Sequence, residues 1–321
     1  MNKYTALGFR HRIKEYWMAL TRFNWKYEPA PTGGADAVAI IDGTQYHGGM
    51  CDRFKGIITL YAYCKQRGLG FRILHTHPFR LEDYLAPAEY DWVLKPGELS
   101  TNIRYSRFFH MRGEYLAKRL KKLETSRQIH YDGNRDCVDI LNEDRGTDYK
   151  WGELFRELFR PAPEVAARLQ ELKEEIGGPY NASVFRFQNL LGDFKEYMYR
   201  PINDAGKREA LITRCLEGLK RHISETDGKP MLVTSDSVTF LAKAAEIEGV
   251  FIIPGSLSHM GGEKKDKVAD PYMTYMKSFL DFYMLSEAES VACIGTPQMY
   301  PSAFPEYAAK VNDRPFHRIT V

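Results

Sequence analysis

A single arginine inside an apolar segment is the residue of this chain that most directly suggests chemistry. Arg186 lies in the segment 182–194, ASVFRFQNLLGDF, between Phe185 and Phe187. The β-branched and aromatic residues predict a strand, and a polar turn that ends at Asp193 follows it. A guanidinium is rarely buried unless an anion meets it. An arginine where a strand of an α/β protein ends is placed to bind a phosphorylated ligand, and an internal ion pair with Asp193 is the alternative.

Polar side chains also follow other predicted strands of the second half. Thr234, Ser235, Asp236 and Ser237 lie between a short apolar run and a helix, and Ser302 opens a later helix. Hydroxyl groups and free N–H groups at helix starts suit phosphate, although helix capping is the alternative for each serine taken singly. Their joint recurrence favours a nucleotide-diphosphate ligand.

A glycine-rich loop stands at the corresponding place in the first half. The continuous apolar run 37–41 predicts a buried parallel strand, and Gly48 and Gly49 follow it. Helical spacing of apolar residues over 50–67 and a strand at 71–74 complete a β–loop–α–β unit, typical of a Rossmann-like half. The glycines spell neither GxGxxG nor GxxxxGK[ST], so no dinucleotide loop or ATP P-loop is predicted.

The elements that must position these residues alternate between strand and helix. In the second half, strands are predicted at the start of 182–194 and at 231–233, 250–253 and 290–294, with helices at 205–225, 238–247, 271–286 and 302–310. This alternation predicts parallel sheets with right-handed crossovers. The resulting fold class is α/β, with two Rossmann-like domains facing across a cleft. A Gly-Gly-Pro junction divides the chain into residues 1–178 and 179–321.

Composition narrows the classes of function. With 321 residues, 44% apolar and 27% charged, the chain suits two globular domains. A net charge of +3 argues against a dedicated nucleic-acid binder. Five scattered cysteines without a CxxC pair favour reduced thiols in a cytoplasmic protein. His75 and His77 would share a face on a strand, but no matching Cys/His pair follows, so no metal site is predicted.

The N-terminal segment, residues 1–27, is basic and aromatic. It has no apolar core of a signal peptide, and no window of the chain reaches 18 uninterrupted apolar residues. A helix packed on its own domain is one interpretation of this segment. An interfacial helix on an anionic membrane is the other, so peripheral membrane contact is allowed beside a cytoplasmic location.

Several of these segments together resemble a known family. Residues 48–53, GGMCDR, before an amphipathic helix, are similar to the GGLGNR opening of the fucosyltransferase superfamily that includes nodulation α1,6-fucosyltransferases and protein O-fucosyltransferases. Val184 through Asp193 resembles the family's HxRxGD-like strand, and residues 234–236 resemble its ATD/TSD strand end. The late family block is similar to Asp281, Leu285-Ser286, Ser302-Ala303-Phe304 and Ala308-Ala309. The chain departs from the family at Val184, Phe187 and Asp52, where the family has histidine, arginine and asparagine.

The resemblance implies a GT-B fold and an inverting, metal-independent transfer from a GDP-sugar, most typically GDP-L-fucose. Arg186 would meet the β-phosphate and stabilise the leaving GDP, because without a divalent ion a cation must meet that charge. Asp236 would hold the nucleoside, and residues 302–304 would bind the phosphates. The full set of residues expected on the donor side is Gly48, Gly49, Arg53, Thr234, Ser235, Asp236, Ser237, His259, Ser302, Ala303 and Phe304.

The general base is expected to be a carboxylate. Asp52 lies where the family's loop faces the acceptor, so it could accept the proton of the acceptor hydroxyl, and Asp193 is the competitor. An ion pair with Arg53 or a charge at the helix N-terminus is the alternative for Asp52. His259 is interpreted either as cleft lining or as an ordinary loop histidine.

The resulting hypothesis is a cytoplasmic glycosyltransferase of polysaccharide biosynthesis. It would move a sugar from GDP to a glycan hydroxyl, with the acceptor on the side of residues 1–178 and the donor on the side of residues 179–321. No cofactor is expected beyond the GDP-sugar donor substrate. The alternatives are a UDP- or other NDP-sugar transferase of the same fold, or a non-catalytic nucleotide- or sugar-binding protein that kept the fold.

Overall fold

The chain folds into two α/β units. The computed structural model describes residues 3–27, 29–111, 117–121, 123, 126–194, 200–255 and 270–321. The first unit is Met1–Arg160 and the second is Pro161–Val321. This division lies before the helix Pro163–Ile176, whereas the sequence prediction placed it after that helix. The helix packs against the helix Pro271–Glu287, which explains its place in the second unit.

A four-stranded parallel sheet forms the first unit. Its helices are α1 (Lys3–Arg22), α2 (Met50–Lys65), α3 (Ala117–Lys121), α4 (Val138–Arg145) and α5 (Trp151–Leu158). The strands of that sheet are β1 (Ala37–Ile41), β2 (Phe71–His75), β4 (Ser106–Met111) and β5 (Gln128–Gly133), numbered along the chain. Two short strands, β3 (Leu85–Pro87) and β6 (Phe159–Pro161), form a separate two-stranded sheet, and β6 crosses the division. The order of the four-stranded sheet is β2-β1-β5-β4, and every neighbouring pair is parallel.

Close packing of α2 on this sheet depends on a glycine. All five residues of β1, AVAII, are buried, which is typical of a strand covered on both faces. A Cβ atom added at Gly56 of α2 would lie 1.9 Å from the carbonyl oxygen of Gly133, at the end of β5. Gly56 therefore lets the helix backbone approach the sheet edge, and α2 begins directly after the Gly48-Gly49 loop.

A five-stranded parallel sheet forms the second unit. Its helices are α6 (Pro163–Ile176), α7 (Ala205–Ser224), α8 (Val238–Ala244), α9 (Pro271–Glu287) and α10 (Phe304–Val311). Its strands are β7 (Asn181–Phe185), β8 (Met231–Ser235), β9 (Val250–Phe251), β10 (Val291–Gly295) and β11 (Phe316–Thr320). The order is β11-β10-β7-β8-β9, again with parallel neighbours. Phe185, Phe187 and Phe240 pack together in its core.

The predicted α/β class is confirmed, and most predicted elements are present with shifts of a few residues at their ends. Five of the named elements were not predicted: α4 and the strands β3, β4, β6 and β11. Strand β11, FHRIT, has mostly polar and exposed residues because it lies at the sheet edge, so it lacks the apolar pattern of a buried strand. The basic residues between Arg112 and Lys122 also predict a helix from the sequence. Lys118, Arg119 and Lys121 lie on α3, whereas Arg112 and Lys122 lie outside the described residues.

Candidate functional site

Strand order marks one place in the second sheet where a ligand could bind. The chain starts this sheet at β7, adds β8 and β9 on one side, and then returns to add β10 and β11 on the other. Open parallel sheets bind ligands at such a switch point, in the crevice outside the carboxyl ends of the two diverging strands. Arg186 directly follows β7, and Thr296 directly follows β10. The sheet therefore brings the loops that begin at these two residues to the same edge.

Asp236 holds Arg186 in place at this edge. A guanidinium nitrogen of Arg186 lies 2.8 Å from the Asp236 carboxylate; the arginine side chain is 22% exposed and the aspartate side chain 1%. The Asp236 carboxylate also accepts hydrogen bonds from the backbone N–H groups of Phe187, at 2.8 Å, and Gln188, at 2.6 Å. The guanidinium carbon lies 4.8 Å from the centre of the Phe194 ring. Arg186 thus forms an ion pair with Asp236, whereas the alternative predicted from the sequence was an ion pair with Asp193.

The burial of Asp236 has an electrostatic consequence. Desolvation raises the pKa of its carboxyl group, whereas Arg186 and the two backbone N–H groups act in the opposite direction. The same carboxylate positions both the guanidinium and the turn after β7, where Gln188 has a φ of +52°. Asp236 is therefore a buried support for Arg186.

Asp193 and Ser237 fix the start of α8. One Asp193 oxygen accepts hydrogen bonds from the Ser237 hydroxyl, at 2.6 Å, and from the Thr239 N–H group, at 2.9 Å. The Ser237 hydroxyl in turn accepts from the Phe240 N–H group at 3.1 Å and is the N-cap of α8. Ser235, buried at the end of β8, accepts a hydrogen bond from the Ser237 N–H group at 3.1 Å. Capping thus occupies these hydroxyls, while the other Asp193 oxygen is buried without a hydrogen-bond partner.

Thr234 lies with Ser235 on β8, and both are buried. On the other side of β7, the Ser302 hydroxyl accepts a hydrogen bond from the Phe304 N–H group at 3.2 Å, before α10, whose N-cap is Ala303. Thr296 is also buried here, and its hydroxyl oxygen has no hydrogen-bond partner. Thr296 was not among the site residues predicted from the sequence. The available signal was a hydroxyl group directly after an apolar strand, as at Thr234.

Arg53 of the first unit is placed quite differently. It is 3% exposed, and its Nε atom donates a hydrogen bond to the Gly48 carbonyl oxygen at 3.1 Å. One terminal nitrogen donates to the His77 carbonyl oxygen at 2.6 Å and lies 3.3 Å from Nε2 of His75. Burial and the Arg53 charge lower the pKa of His75 to about 3, so this imidazole is neutral at pH 7. Arg53 therefore joins the loops after β1 and β2 to the start of α2.

A second buried polar cluster fills the switch point of the first sheet, between β1 and β5. Asp132, at the end of β5, lies 3.3 Å from Nδ1 of His47 and 2.8 Å from Nδ1 of His110. All three side chains are at most 3% exposed. Sequence reasoning missed this cluster because its members come from three segments and one of them lies on β4, which was not predicted.

Asp52 lies at the surface of the first unit, at the beginning of α2. Its side chain is 43% exposed, and a carboxylate oxygen lies 3.5 Å from Nζ of Lys55. The alternative expected for Asp52, an ion pair with Arg53, is replaced by this pair with Lys55. Gly48 has a φ of +73°, and a Cβ atom there would lie 2.6 Å from an Asp52 oxygen. A side chain at residue 48 would therefore displace this carboxylate, whereas Gly49, the N-cap of α2, meets no such neighbour.

His75 ends β2 and His77 lies beyond it, so the two do not share a strand face. Within the described residues, no three His, Cys, Asp or Glu side chains are grouped so that they could hold a metal ion. Asp281 forms a buried pair with Lys277 on α9, at 2.6 and 2.7 Å. His259 lies outside the described residues.

Structure comparison relates this fold to known proteins. A NodZ α1,6-fucosyltransferase structure soaked with GDP-fucose has a TM-score of 0.51 and 14% identity, over 86% of this chain and 91% of that one. An Arabidopsis thaliana FUT1 mutant in complex with GDP has a TM-score of 0.55 and 12% identity, over 94% and 74%. POFUT1 in complex with GDP has a TM-score of 0.52 and 11% identity, over 90% and 99%.

No protein-family model and no curated protein matches the sequence. The structural matches nevertheless cover most of the chain in each case. They show that the chain has a fucosyltransferase-like fold, as the sequence motifs predicted.

Proposed function

We propose that this chain is a glycosyltransferase that transfers a sugar from a GDP-sugar donor. The structural neighbours, which are fucosyltransferases, support L-fucose as this sugar. The observation that carries the proposal is Arg186, which follows the central strand β7 at the switch point and is held by a buried carboxylate while its own side chain reaches solvent. Structures of the same fold are described as complexes with GDP or GDP-fucose. We place the donor diphosphate at this edge of the second unit.

The reaction needs a cation where negative charge develops. The acceptor hydroxyl oxygen forms a bond to the anomeric carbon while the bond from that carbon to the β-phosphate oxygen breaks. The electron pair leaves with GDP, and inversion follows from attack on the opposite face. Arg186 would stabilise the departing β-phosphate, because a guanidinium matches phosphate oxygens in a bidentate manner. Thr296, whose buried hydroxyl has no hydrogen-bond partner, would donate to the same ligand.

The proton of the acceptor hydroxyl would go to a carboxylate. We favour Asp52 over Asp193 on grounds of accessibility. The Asp52 side chain is 43% exposed, whereas one Asp193 oxygen already accepts two hydrogen bonds at the start of α8 and the other is buried. The acceptor is proposed to be a glycan, and no metal ion is required for these roles.

Nucleotide binding by the full chain tests the proposal. Thermal unfolding is measured with GDP, UDP, ADP and CMP, each with and without Mg²⁺, because a ligand that binds only the folded state raises its melting temperature. We expect a GDP-selective shift that does not need Mg²⁺. Arg186→Lys keeps a cation beside Asp236 and should weaken GDP binding about tenfold or more, since it removes the planar fork. Arg168→Ala, a change at an exposed ion pair on α6, should leave GDP binding unchanged.

Each outcome decides between the hypotheses. Release of GDP from GDP-fucose by the wild-type chain, lost in Asp52→Asn but with GDP binding retained, supports the transferase and the base. GDP binding without any turnover supports the non-catalytic alternative. A selective shift with UDP moves the donor to another nucleotide. If the folded protein binds none of the four nucleotides, the proposed function is wrong.

A further inference from the structure

Exposed apolar side chains are concentrated in one short stretch of the first unit. Among the described residues, ten large apolar side chains are exposed, and six of them belong to residues 13–27: Ile13, Tyr16, Trp17, Leu20, Trp25 and Tyr27. These six form what we call the aromatic face. A single exposed apolar residue is ordinary, whereas several exposed apolar side chains within one short segment indicate an interaction site.

Four members of the aromatic face share one side of helix α1. Ile13, Tyr16, Trp17 and Leu20 have the i, i+3, i+4, i+7 spacing that places side chains along one stripe, and they are 37–65% exposed. An apolar stripe on a helix of this length normally faces a core, so this stripe is available to something outside the first unit.

The opposite side of α1 holds the helix on the first unit. Met18 is buried against Phe23 and Phe108. Glu15 accepts two hydrogen bonds from the Arg119 guanidinium, at 3.0 and 2.6 Å. The orientation of α1 is therefore fixed, and the stripe is not simply a core face that has failed to pack.

The residue types of the aromatic face match a membrane interface. Tryptophan and tyrosine rings combine an apolar body with a polar group, and they are enriched at the level of lipid headgroups. Trp17 and Trp25 are 63% and 64% exposed, whereas the other two tryptophans of the chain, Trp92 and Trp151, are buried.

The charges beside this face are mostly positive. Lys14 and Lys26 are exposed in the same segment. A groove between α1 and β4, which Tyr16 also lines, carries Arg107, Lys118 and Arg127. The acidic residue of this groove, Glu15, is neutralised by Arg119. A second copy of this chain would bring the same positive charge, whereas anionic lipid headgroups are complementary to it.

We propose that the aromatic face binds the surface of an anionic lipid membrane. The rings of Tyr16, Trp17 and Trp25 would lie at the headgroup level, and the basic side chains would contact lipid phosphates. The contact is peripheral: no helix in the part of the chain that the structure describes is long and apolar enough to span a bilayer. This surface does not depend on the proposed nucleotide site.

Co-sedimentation of the full chain with vesicles tests the proposal. We expect binding to vesicles of phosphatidylcholine mixed with phosphatidylglycerol, and little binding to phosphatidylcholine alone. High salt should weaken binding, because it screens exposed charges. The double change Tyr16→Ser with Trp17→Ser should lower the partition coefficient about tenfold or more, since it removes two interfacial rings. Tyr46→Ser is the matched control, since Tyr46 is 63% exposed outside the aromatic face, and it should bind like wild type.

Tryptophan fluorescence gives a second measurement that does not depend on the double variant folding. Vesicles should shift the emission of the wild-type chain to shorter wavelength and reduce acrylamide quenching. The change should be lost in Trp17→Phe with Trp25→Phe, because the remaining two tryptophans are buried. The proposal is wrong if the wild-type chain does not bind anionic vesicles at low salt. It is also wrong if the folded double serine variant binds as well as wild type, or if Tyr46→Ser loses binding to the same extent as the double variant. Concentration-dependent dimerisation lost with Tyr16→Ser and Trp17→Ser, without vesicle binding, would assign the face to a second copy instead.

Discussion

Each of the two sheets has one switch point, and the side chains at these two points differ in burial. In the first sheet, His47 from the loop after β1 meets Asp132 at the end of β5, so the chain's own side chains fill the point where the strand order reverses. In the second sheet, the corresponding loops leave the Arg186 side chain 22% exposed. Each switch point also has a buried polar atom without a hydrogen-bond partner, Nε2 of His47 in the first sheet and the Thr296 hydroxyl oxygen in the second. The same topology therefore supports a closed structural cluster in one unit and a candidate ligand site in the other.

The two arginines show the same difference. Arg53 donates to backbone carbonyl oxygens of two loops and is almost fully buried, so its hydrogen bonds are used within the fold. Arg186 is fixed by Asp236, and its side chain still reaches solvent. A polar residue at a strand end is a candidate for ligand binding only if the fold leaves part of its hydrogen-bonding capacity available.

The largest effect on stability is expected from Asp132→Ala. This change leaves two buried imidazole groups without their carboxylate, and each unsatisfied buried polar group costs about 1–3 kcal/mol. We expect the free energy of unfolding, measured in urea, to fall by about 3 kcal/mol, with GDP affinity unchanged in the folded fraction. Asp139→Ala, at an exposed position in the first turn of α4, should cost less than about 1 kcal/mol. If both variants are equally stable, the closed cluster does not stabilise the first unit.

Conservative changes of the two arginines should separate stability from binding. Arg53→Lys removes the fork that serves the Gly48 and His77 carbonyl oxygens, and it should cost about 2 kcal/mol because hydrogen bonds from charged donors contribute about 1.5–3 kcal/mol each. Arg186→Lys keeps a cation beside Asp236, so its stability should change by less than about 1 kcal/mol. GDP affinity should fall more in Arg186→Lys than in Arg53→Lys, which is the reverse of the order expected for stability. Urea unfolding and GDP titration of both variants make this comparison, and a loss of GDP affinity in Arg53→Lys alone would contradict it.

Acid should weaken the first unit through buried histidines. The pKa of His75 is lowered from 6.5 to about 3 in the folded chain, and that of His130 is lowered to about 3 as well, both mainly by burial. Between about pH 3 and pH 6.5, the unfolded state binds more protons than the folded state. The stability that comes from keeping these histidines neutral is therefore present above about pH 6.5 and is lost as the pH falls. Each group contributes a slope of up to about 1.4 kcal/mol per pH unit near pH 5.

Urea unfolding of wild type and His75→Asn between pH 6 and pH 5 measures this slope. The slope of the unfolding free energy against pH should be smaller in His75→Asn by about the contribution of one proton. The reason is that the unfolded state of this variant has one fewer histidine to protonate. His130→Gln should act in the same direction. Identical slopes in wild type and both variants would show that neither histidine is held neutral by burial.

The helices and strands were predicted from the sequence more closely than the side-chain contacts at the candidate site. The buried run 37–41 and the helix after Gly49 have strong apolar patterns, so β1 and α2 were predicted closely. The partner of Arg186 could not be deduced, because Asp236 comes from the next strand and pairing across parallel strands leaves no local signal. For the same reason the histidine cluster was missed: Asp132 joins side chains that are far apart in sequence.

The smallest effects on stability are expected from removing two hydroxyl groups at one sheet edge, those of Ser237 and Thr296. These two changes distinguish a structural hydroxyl from a ligand-binding one, because they should affect stability differently. Ser237→Ala removes the N-cap of α8 and the hydrogen bond to Asp193, so unfolding in urea should become about 1 kcal/mol easier. Thr296→Val replaces a buried hydroxyl that has no partner by a methyl group of similar volume, so stability should stay equal or rise by a few tenths of a kcal/mol. GDP affinity should fall several-fold in Thr296→Val only, since the hydroxyl is then missing for the ligand. If Thr296→Val destabilises the free protein and leaves GDP affinity intact, this hydroxyl serves the fold, and the second switch point is closed like the first.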